Sequence, residues 1–377
     1  MTADARNALF ALLRAALGEG TPPPAPSEAV CNELLPAAAR QALLPIVFDT
    51  LKKVCPQSDA LGRFDRMRLK DAYHTIQQDV AAASVRAALD GARIPYVLLK
   101  GAAIRALYPD PEWRTGCDVD ILIERDRLDE AIAAVESGTD FVMKQRNYHD
   151  VSLVNDVVHL ELHFSLLENM ENIDALLSRA WEFARPTGEG SLWRFDPTYQ
   201  VFHVVAHMSY HMVHGGLGVR PFLDLWLLRT KTSFDEDALR RMCESCGILT
   251  FYEACCDLVC AWMEGTPVPD RLAPLETYCL DGGVFGHEKN AVASRLRERS
   301  KTGYVFRRLF PGKAVLQEEY PGLKGRPLLL PWYTVKRWTR LFDKRKRATA
   351  LNDVRGVNAA TPETVADFDR LLTELGL

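Results

Sequence analysis

The sequence predicts an α+β fold in which a small mixed sheet lies between an N-terminal and a C-terminal helical region. Three observations predict it. Apolar residues recur at helical spacing over residues 1–84, short strand-like apolar runs alternate with helices over residues 85–195, and helical spacing returns over residues 196–377. With 377 residues the chain is long enough for two or three domains with a sizeable core.

The N-terminal region is predicted to be helical from the spacing of its apolar residues. Leu9, Leu12 and Leu13 lie on one side of a helix that begins near residue 3. A Pro-rich linker follows at 21–26. Further helices are predicted at 28–40, 42–54 and 61–90.

The central region changes to strand-like patterns at Pro95. Strands are predicted at 96–99, 118–123, 140–145, 149–154 and 157–164. Helices are predicted at 102–108 and 126–137. From Thr198 to about Glu264 nearly every segment has a helical pattern, which makes the C-terminal region the third part of the chain.

Composition indicates a soluble globular protein. Hydrophobic residues make up 47% of the chain and charged residues 25%, which is ordinary for that class, and the net charge of −4 does not favour a nucleic-acid or membrane binder. The nine cysteines are odd in number and scattered, which favours reduced thiols in a cytoplasmic protein. The N-terminal segment predicts an amphipathic helix rather than a signal peptide, and no apolar run is long enough to span a bilayer.

An Asp-Val-Asp triplet, Asp118 to Asp120, opens the predicted strand at 118–123. Alternate side chains of a strand point to the same face, so the two carboxylates project together while Val119 and Ile121 fill the other face. Neighbouring carboxylates repel each other unless a cation lies between them. Oxygen ligands on a rigid strand suit Mg²⁺, which usually accompanies a nucleotide phosphate. The alternative is a pair of solvent-facing acids at a strand end.

A third acid lies on the predicted strand at 157–164. His159, Glu161 and His163 share one face of that strand. If the strand pairs beside Asp118, Glu161 completes a set of three carboxylates, which is the arrangement used in two-metal phosphoryl transfer. The alternative for Glu161 is an exposed strand residue. His163 either contacts phosphate or is a satisfied strand-end histidine, and the second interpretation is favoured.

The segment around Gly101 predicts an anion-binding turn. A short strand at 96–99 leads through Lys100 and Gly101 into a helix, and the start of a helix presents free N–H groups and a positive dipole end. Gly101 lets a phosphate approach the backbone, or it serves the geometry of the turn itself. Lys100 either neutralises a phosphate or forms a salt bridge with one of the acids, and the two interpretations remain open.

These segments together resemble a known family. They are Leu98-Leu99-Lys100-Gly101, Leu107-Tyr108-Pro109, Arg114, Asp118-Val119-Asp120-Ile121-Leu122 and His159-Leu160-Glu161-Leu162-His163. They are similar to the uncharacterised nucleotidyltransferase family of the polymerase-beta-like nucleotidyltransferase superfamily. The resemblance continues at His207, His211, Gly215, Gly216, Gly218, Arg220 and Asp224. It covers about residues 96–224.

The resemblance implies a fold, a reaction and a set of site residues. In that superfamily a small α/β domain holds metal ions and the triphosphate of an NTP, and helical parts close over the base or the acceptor. Asp118, Asp120 and Glu161 would bind Mg²⁺, or Mn²⁺ as a possible substitute, and act in catalysis. The residues implied for the nucleotide are Lys100, Gly101, Ala102, Arg114 and Arg220.

One position departs from the superfamily pattern. A Gly or Ser often follows the first glycine, and this chain has Ala102 there. Alanine lacks a hydroxyl, so phosphate binding is expected to depend on backbone N–H groups and on Lys100. For Arg114 the alternative to phosphate contact is a loop arginine that pairs with Glu112.

Three further patterns have both a structural and a functional interpretation. His203, His207 and His211 share a helix face and could bind zinc, but core or interface histidines are favoured. The cysteines from Cys243 to Cys260 have no zinc-finger spacing, so buried free thiols are favoured. The basic segment at 336–347 could contact nucleic acid or an anionic membrane, although a solvated helix face is favoured.

The leading functional hypothesis is Mg²⁺-dependent transfer of an NMP from an NTP to a hydroxyl, with release of pyrophosphate. The acceptor could be a small molecule, a peptide or an RNA, and the sequence identifies neither it nor the preferred base. The alternative is a non-catalytic nucleotide- or RNA-binding regulatory module, including a partner of toxin–antitoxin type. The sequence does not indicate an oligomeric state.

Overall fold

A computed structural model describes residues 1–18, 20–168, 170–283, 316, 326–338 and 361–377. Contacts divide the chain into two compact units. The first comprises residues 1–210, 217–284 and 375–377, and the second comprises residues 211–216 and 285–374. The first unit contains the sheet and the helices that precede and follow it along the chain, as the predicted α+β class requires.

Four helices precede the sheet: α1 (Ala3–Leu17), α2 (Glu28–Arg40), α3 (Leu44–Val54) and α4 (Asp59–Gly91). The side chains of Ser27 and Ser58 accept hydrogen bonds from free N–H groups at the starts of α2 and α4, which explains where these helices begin. The last helix, α4, spans 33 residues and runs through the predicted domain boundary at residue 84. That boundary stays a prediction.

The sheet has seven strands: β1 (Tyr96–Leu98), β2 (Asp118–Ile123), β3 (Val142–Arg146), β4 (Asp150–Val154), β5 (His159–His163), β6 (Ala184–Pro186) and β7 (Leu192–Phe195). Their order across the sheet is β3-β4-β5-β2-β1-β7-β6. The β2–β5 and β1–β7 pairs are parallel and the other neighbours are antiparallel, so the sheet is mixed, as predicted. The central strand β2 therefore lies between β1 and β5.

Eight further helices belong to or pass through the first unit. They are α5 (Lys100–Ile104), α6 (Leu128–Gly138), α7 (Glu171–Leu177), α8 (Pro197–Val213), α9 (Arg220–Lys231), α10 (Glu236–Ser245), α11 (Leu249–Glu264) and α12 (Ala273–Asp281). The helix predicted at 102–108 begins two residues earlier and continues after α5 as a 3₁₀ turn, Arg105–Leu107. It is therefore shorter as an α-helix than its apolar pattern indicated.

One face of the sheet forms a hydrophobic core with α4 and α6. Val119, Ile121 and Ile123 of β2 are buried there beside Leu160 and Leu162 of β5. A shift of one residue between these strands would move every one of these side chains to the opposite face. Exposing each of them to water would cost about 1.5–3 kcal/mol of hydrophobic free energy. This cost fixes the pairing register of β2 and β5. The residues between them, including the acids of β2 and β5, must then lie on the other face.

The second unit contains α13 (Leu330–Trp338), preceded by the 3₁₀ turn Pro327–Leu329, and α14 (Pro362–Glu374). The Lys336 ammonium lies 5.6 Å from the centroid of the Tyr333 ring. Residues 339–347 of the predicted basic segment lie outside the described residues. Within the described ranges, no helix is both long enough and apolar enough to cross a bilayer. All nine cysteines are free thiols.

Candidate active site

The acids predicted from the sequence meet where β2 pairs with β5. The pairing is parallel, and it places Asp118 opposite His159 and Asp120 opposite Glu161. Directly paired residues of two strands point to the same face of a sheet. Because Val119 and Leu160 enter the core, the four polar side chains project together from the opposite face. The adjacency on which the sequence argument depended is therefore present.

Strand β4 adds a third row to this polar face. It runs antiparallel to β5, with Ser152 opposite Glu161 and Asp150 opposite His163. The Ser152 hydroxyl lies 2.5 Å from Nε2 of His159. Ser152 thus fixes the outer edge of the His159 ring and joins the acid-bearing strands to their neighbour.

Each histidine of β5 contacts a different aspartate. Nδ1 of His159 lies 2.7 Å from Oδ1 of Asp118 and 3.8 Å from Oε1 of Glu161. Nε2 of His163 lies 3.0 Å from Oδ1 of Asp120 and 3.3 Å from Oε2 of Glu161. Glu161 therefore lies between two groups of ligand atoms and contributes one oxygen to each.

The two groups have the dimensions of divalent-cation sites. In Asp118–His159–Glu161, and again in Asp120–Glu161–His163, one donor atom from each residue lies within 4.8 Å of the others. Carboxylate oxygens suit Mg²⁺ and Mn²⁺, and imidazole nitrogen is a common ligand of transition ions. The residues present fit a divalent cation. In the described part of the chain, neither cluster includes a histidine of α8, so the zinc alternative on that helix gains no support.

Asp120 is held in its ionised form by its neighbours. Burial alone would raise the pKa of Asp120, but the nearby Lys100 charge and the hydrogen bond from His163 outweigh it and hold that pKa well below its usual range. The Lys100 ammonium lies 3.5 Å from Oδ1 of Asp120. Burial lowers the pKa of Lys100, yet Asp120 and neighbouring acids raise it overall. Both groups are therefore charged at neutral pH, and the salt bridge expected as one alternative for Lys100 is formed.

The first turn of α5 has a close neighbour at Gly101. Lys100 has a φ of 45°, in the left-handed region, and Gly101 follows it. A Cβ at Gly101 would lie 3.1 Å from Nη1 of Arg114, which is tighter than most real contacts. This contact explains a glycine at 101 independently of any phosphate. Ala102, in the same turn, is half-buried.

Arg114 is held inside the protein by Asp224 of α9. Its Nε donates to Oδ1 of Asp224 at 2.8 Å and its Nη2 donates to Oδ2 at 2.8 Å, while its Nη1 donates to the Thr115 carbonyl at 2.7 Å. The Tyr108 hydroxyl also donates to Asp224, at 2.8 Å. The expected alternative for Arg114, a pair with Glu112, is wrong, because the buried and bidentate partner is Asp224. A contact between Arg114 and phosphate stays a prediction.

Arg220 lies beside this ion pair. Its Nη1 donates to the same Thr115 carbonyl at 3.1 Å. Its Nε is buried and makes no hydrogen bond to the part of the chain that the structure describes. Burial and the charge of Arg114 lower the pKa of Arg220 to about 10. Arg114, Arg220 and Asp224 therefore lie close to the loop that leads to Asp118. With two cations and one anion, this group has a net positive charge.

Helix α8 presents His207 to the same region. Its Nδ1 lies 2.8 Å from Oε1 of Glu168. Burial and then the charge of Lys100 lower the pKa of His207 well below its ordinary value.

Replacing His203 with Gln is expected to weaken the dependence of stability on acid pH. Burial lowers the pKa of His203 from 6.5 to about 3. Between these values the unfolded chain binds a proton that the folded protein excludes, so the free energy of unfolding falls as pH drops below the unfolded pKa. From about pH 7 to about pH 5 this residue should cost about 2 kcal/mol of stability.

Urea denaturation of wild type and His203→Gln at the two pH values measures this effect. The variant should retain about 2 kcal/mol more of its neutral-pH stability at the lower pH. Equal losses in the two proteins would show that the folded protein binds the proton at His203 after all.

Some site residues were not identified from the sequence. Glu168 lies in the loop after β5, where no periodicity marks it. Ser152 could have been found, because it alternates with Val151 and Leu153 on the predicted strand and faces the acids. The contact of Tyr108 with Asp224 joins residues 116 positions apart, and no local pattern predicts it.

The fold and the site define the class of protein. A mixed sheet holds the carboxylates of Asp118, Asp120 and Glu161 together on the face opposite its hydrophobic core. A family profile described as uncharacterised nucleotidyltransferase matches residues 27–264 of this chain, well over half of its length. The chain belongs to the uncharacterised nucleotidyltransferase family, and the resemblance identified from the sequence is confirmed. The match begins at the cap of α2 and ends with α11, so it includes the whole sheet. No curated protein and no solved structure matches the chain.

Family membership establishes the general reaction. Nucleotidyltransferases are transferases that move an NMP from an NTP, and they generally use divalent metal ions. An NTP is therefore the substrate that the family implies.

Proposed function

We propose that this protein is an Mg²⁺-dependent nucleotidyltransferase that moves an NMP from an NTP to a hydroxyl of an acceptor and releases pyrophosphate. The observation that supports it most strongly is the parallel pairing of β2 with β5, which gathers Asp118, Asp120 and Glu161 on one face. Mn²⁺ is the expected substitute for Mg²⁺, because both accept carboxylate ligands.

The three carboxylates have distinct roles in this proposal. Asp118, Asp120 and Glu161 would hold two divalent cations, which neutralise the triphosphate and lower the pKa of the attacking hydroxyl when they are bound. Glu161 is the proposed group that accepts or orients the proton of that hydroxyl. Its side chain is one-quarter exposed, so an acceptor can reach it from solvent.

Cationic side chains and the first turn of α5 are the proposed triphosphate contacts. Lys100 is charged and 28% exposed, and it is the first residue of that turn. The backbone N–H groups of Gly101 and Ala102 lie in the same turn. Arg220 is the second proposed cation, and its side chain is only half-buried. These groups can neutralise phosphate oxygens without a hydroxyl at position 102.

Arg114 has a positioning role in this proposal. Its guanidinium is bonded to Asp224 and to the Thr115 carbonyl, and it packs against Gly101. It therefore ties the nucleotide turn to the loop that leads into Asp118. The geometry supports an indirect role more strongly than direct contact with phosphate.

Calorimetric titration with a non-hydrolysable NTP tests the proposal against a non-catalytic binding module. With Mg²⁺ present the wild type should bind at least about tenfold more tightly than without it, which corresponds to about 1.4 kcal/mol. The double variant Asp118→Asn, Asp120→Asn should lose this difference. Asp129→Asn, on α6 and 83% exposed at the side chain, is the matched control and should keep it.

A binding module gives a different pattern. Its NTP affinity would be the same with and without Mg²⁺, and it would be unchanged in the double aspartate variant. That result would reject the metal-dependent enzyme. The acceptor can then be sought by incubating wild type with each labelled NTP, Mg²⁺ and cell extract, with the double variant as the blank.

A further inference from the structure

We propose that His159 is a nitrogen ligand of the divalent cation held by Asp118 and Glu161, and that this nitrogen makes the site prefer Mn²⁺ to Mg²⁺. The inference rests on the proposed function, because it assigns the metal preference of the same site. It goes further in naming a ligand outside the three carboxylates.

The first observation is the position of the His159 ring. Its Nδ1 lies 2.7 Å from Asp118 and 3.8 Å from Glu161. These three donors form one of the two compact groups on the sheet. Direct pairing of Asp118 with His159 across β2 and β5 produces this closeness, so it depends on the sheet register rather than on a flexible loop.

The second observation is the hydrogen-bond partner of the other ring nitrogen of His159, Nε2. Nε2 of His159 lies 2.5 Å from the Ser152 hydroxyl on β4. Without a bound cation, Nδ1 donates to the Asp118 carboxylate and Nε2 accepts from the Ser152 hydroxyl. A cation bound between the carboxylates would take the place of the Nδ1 proton, and the ring proton would then be on Nε2, where the Ser152 hydroxyl can accept it. Metal-binding histidines almost always have such a partner on the second nitrogen, which fixes their tautomer and orientation.

The third observation explains why His159, and not His163, is proposed as the metal ligand. Nε2 of His163 also lies near two carboxylates, but its Nδ1 is buried and has no hydrogen-bond partner among the described residues. Metal binding through Nε2 would require a proton on Nδ1. A buried N–H without a partner costs about 1–3 kcal/mol. His163 is therefore better placed as a hydrogen-bond donor to Asp120 and Glu161 than as a ligand.

The ligand chemistry determines the metal preference. Mg²⁺ takes oxygen ligands almost exclusively and holds its water tightly. Imidazole nitrogen suits first-row transition ions, and Mn²⁺ also accepts carboxylates. A site with two carboxylates and one imidazole should therefore select Mn²⁺ when both ions are available.

Pulsed electron paramagnetic resonance of the full-length protein loaded with Mn²⁺ tests this directly, because ¹⁴N modulation reports a nitrogen bound to the ion. We expect the modulation in wild type, in His163→Asn and in the remote control His74→Asn on α4. It should be absent in His159→Asn, which offers an amide oxygen in place of the nitrogen. Competition between the two ions should show that His159→Asn loses at least about tenfold in its preference for Mn²⁺.

Ser152→Ala is the second variant, and it leaves the histidine in place. It should weaken the modulation and reduce the affinity for Mn²⁺ by about 10–100-fold, as loss of the partner of the second histidine nitrogen does at metal sites. Modulation that is missing in wild type, or that survives in His159→Asn, overturns the proposal. If Mg²⁺ still tightens NTP binding in that case, the ligand assignment fails and the proposed function stands. If Mn²⁺ does not bind to wild type at all, both fail.

Discussion

Asp120→Asn is expected to reduce NMP transfer by at least about 1000-fold, the largest effect of any single substitution in the site. Asp120 is paired with Glu161 across the strands and lies within 3.5 Å of Lys100 and His163. Asparagine keeps the shape of the side chain and removes its charge. The loss of charge removes an anionic ligand from the centre of the site and leaves the Lys100 ammonium without its main partner.

The same substitution should lower stability only moderately. The depressed pKa of Asp120 means that its charge stabilises the folded state above the unfolded pKa, and this stabilisation is lost as pH falls through the folded value. At neutral pH the variant should therefore lose about 1–3 kcal/mol, which leaves a folded protein. Transfer of label from an α-labelled NTP and urea denaturation measure the two effects. Wild-type transfer by a folded Asp120→Asn would contradict the assigned role, and Asp129→Asn should behave as wild type.

Asp224→Ala is expected to lower the free energy of unfolding by about 3–5 kcal/mol. Asp224 is 5% exposed at its side chain and accepts hydrogen bonds from Arg114 and Tyr108. Removing it leaves the buried guanidinium of Arg114 without its counter-charge, next to the half-buried guanidinium of Arg220. Breaking one half of a buried pair costs much more than the pair contributes in total, because the remaining charge stays desolvated.

A double-mutant cycle separates this explanation from a general loss of packing. Asp224→Leu combined with Arg114→Met replaces both charges with apolar groups and should recover at least half of the stability lost in the worse single variant. The exposed pair of Arg179 and Glu182 is the comparison, and breaking it should change stability far less. If Asp224→Ala costs no more than breaking the exposed pair, or if the double variant is the sum of its singles, the buried pair does not have the proposed importance.

Local periodicity predicted the face of the sheet on which the acids lie. Val119, Ile121 and Ile123 are apolar at alternate positions, and burial of that face leaves no other place for Asp118 and Asp120. The pairing of β2 with β5 is different, because the two strands are separated by a helix and two other strands. Only the resemblance to a family indicated that Glu161 would lie beside the aspartates.

Contacts between distant residues could not be predicted. For Arg114 the sequence suggested phosphate contact or, as the alternative, the local partner Glu112, whereas the fold places Asp224, 110 positions away, against it. A buried arginine requires a buried acid, but the sequence does not show which acid the helices bring to it. Strand β6 was missed because its three residues, Ala184–Pro186, include no β-branched or aromatic residue that would favour a strand. The hydrogen bond between Nε2 of His159 and Ser152 also joins two strands, so the sequence around His159 could not predict it.

The histidines of α8 show what spacing along the sequence can predict and what it cannot. Their four-residue spacing correctly places His203 and His207 on one helical face. Their roles depend on what faces them: His207 meets Glu168, whereas His203 is enclosed near Phe195. The spacing alone could not separate a buried histidine from one that contacts the site.

Wild-type protein incubated with an NTP labelled at either the α or the γ phosphate, in the presence of Mg²⁺ and cell extract, tests the central claim most directly. The account predicts that α-label becomes attached to an acceptor, that γ-label leaves as pyrophosphate, and that the double variant Asp118→Asn, Asp120→Asn transfers neither. Attachment of γ-label, or α-label transfer that persists in the folded double variant, would contradict it.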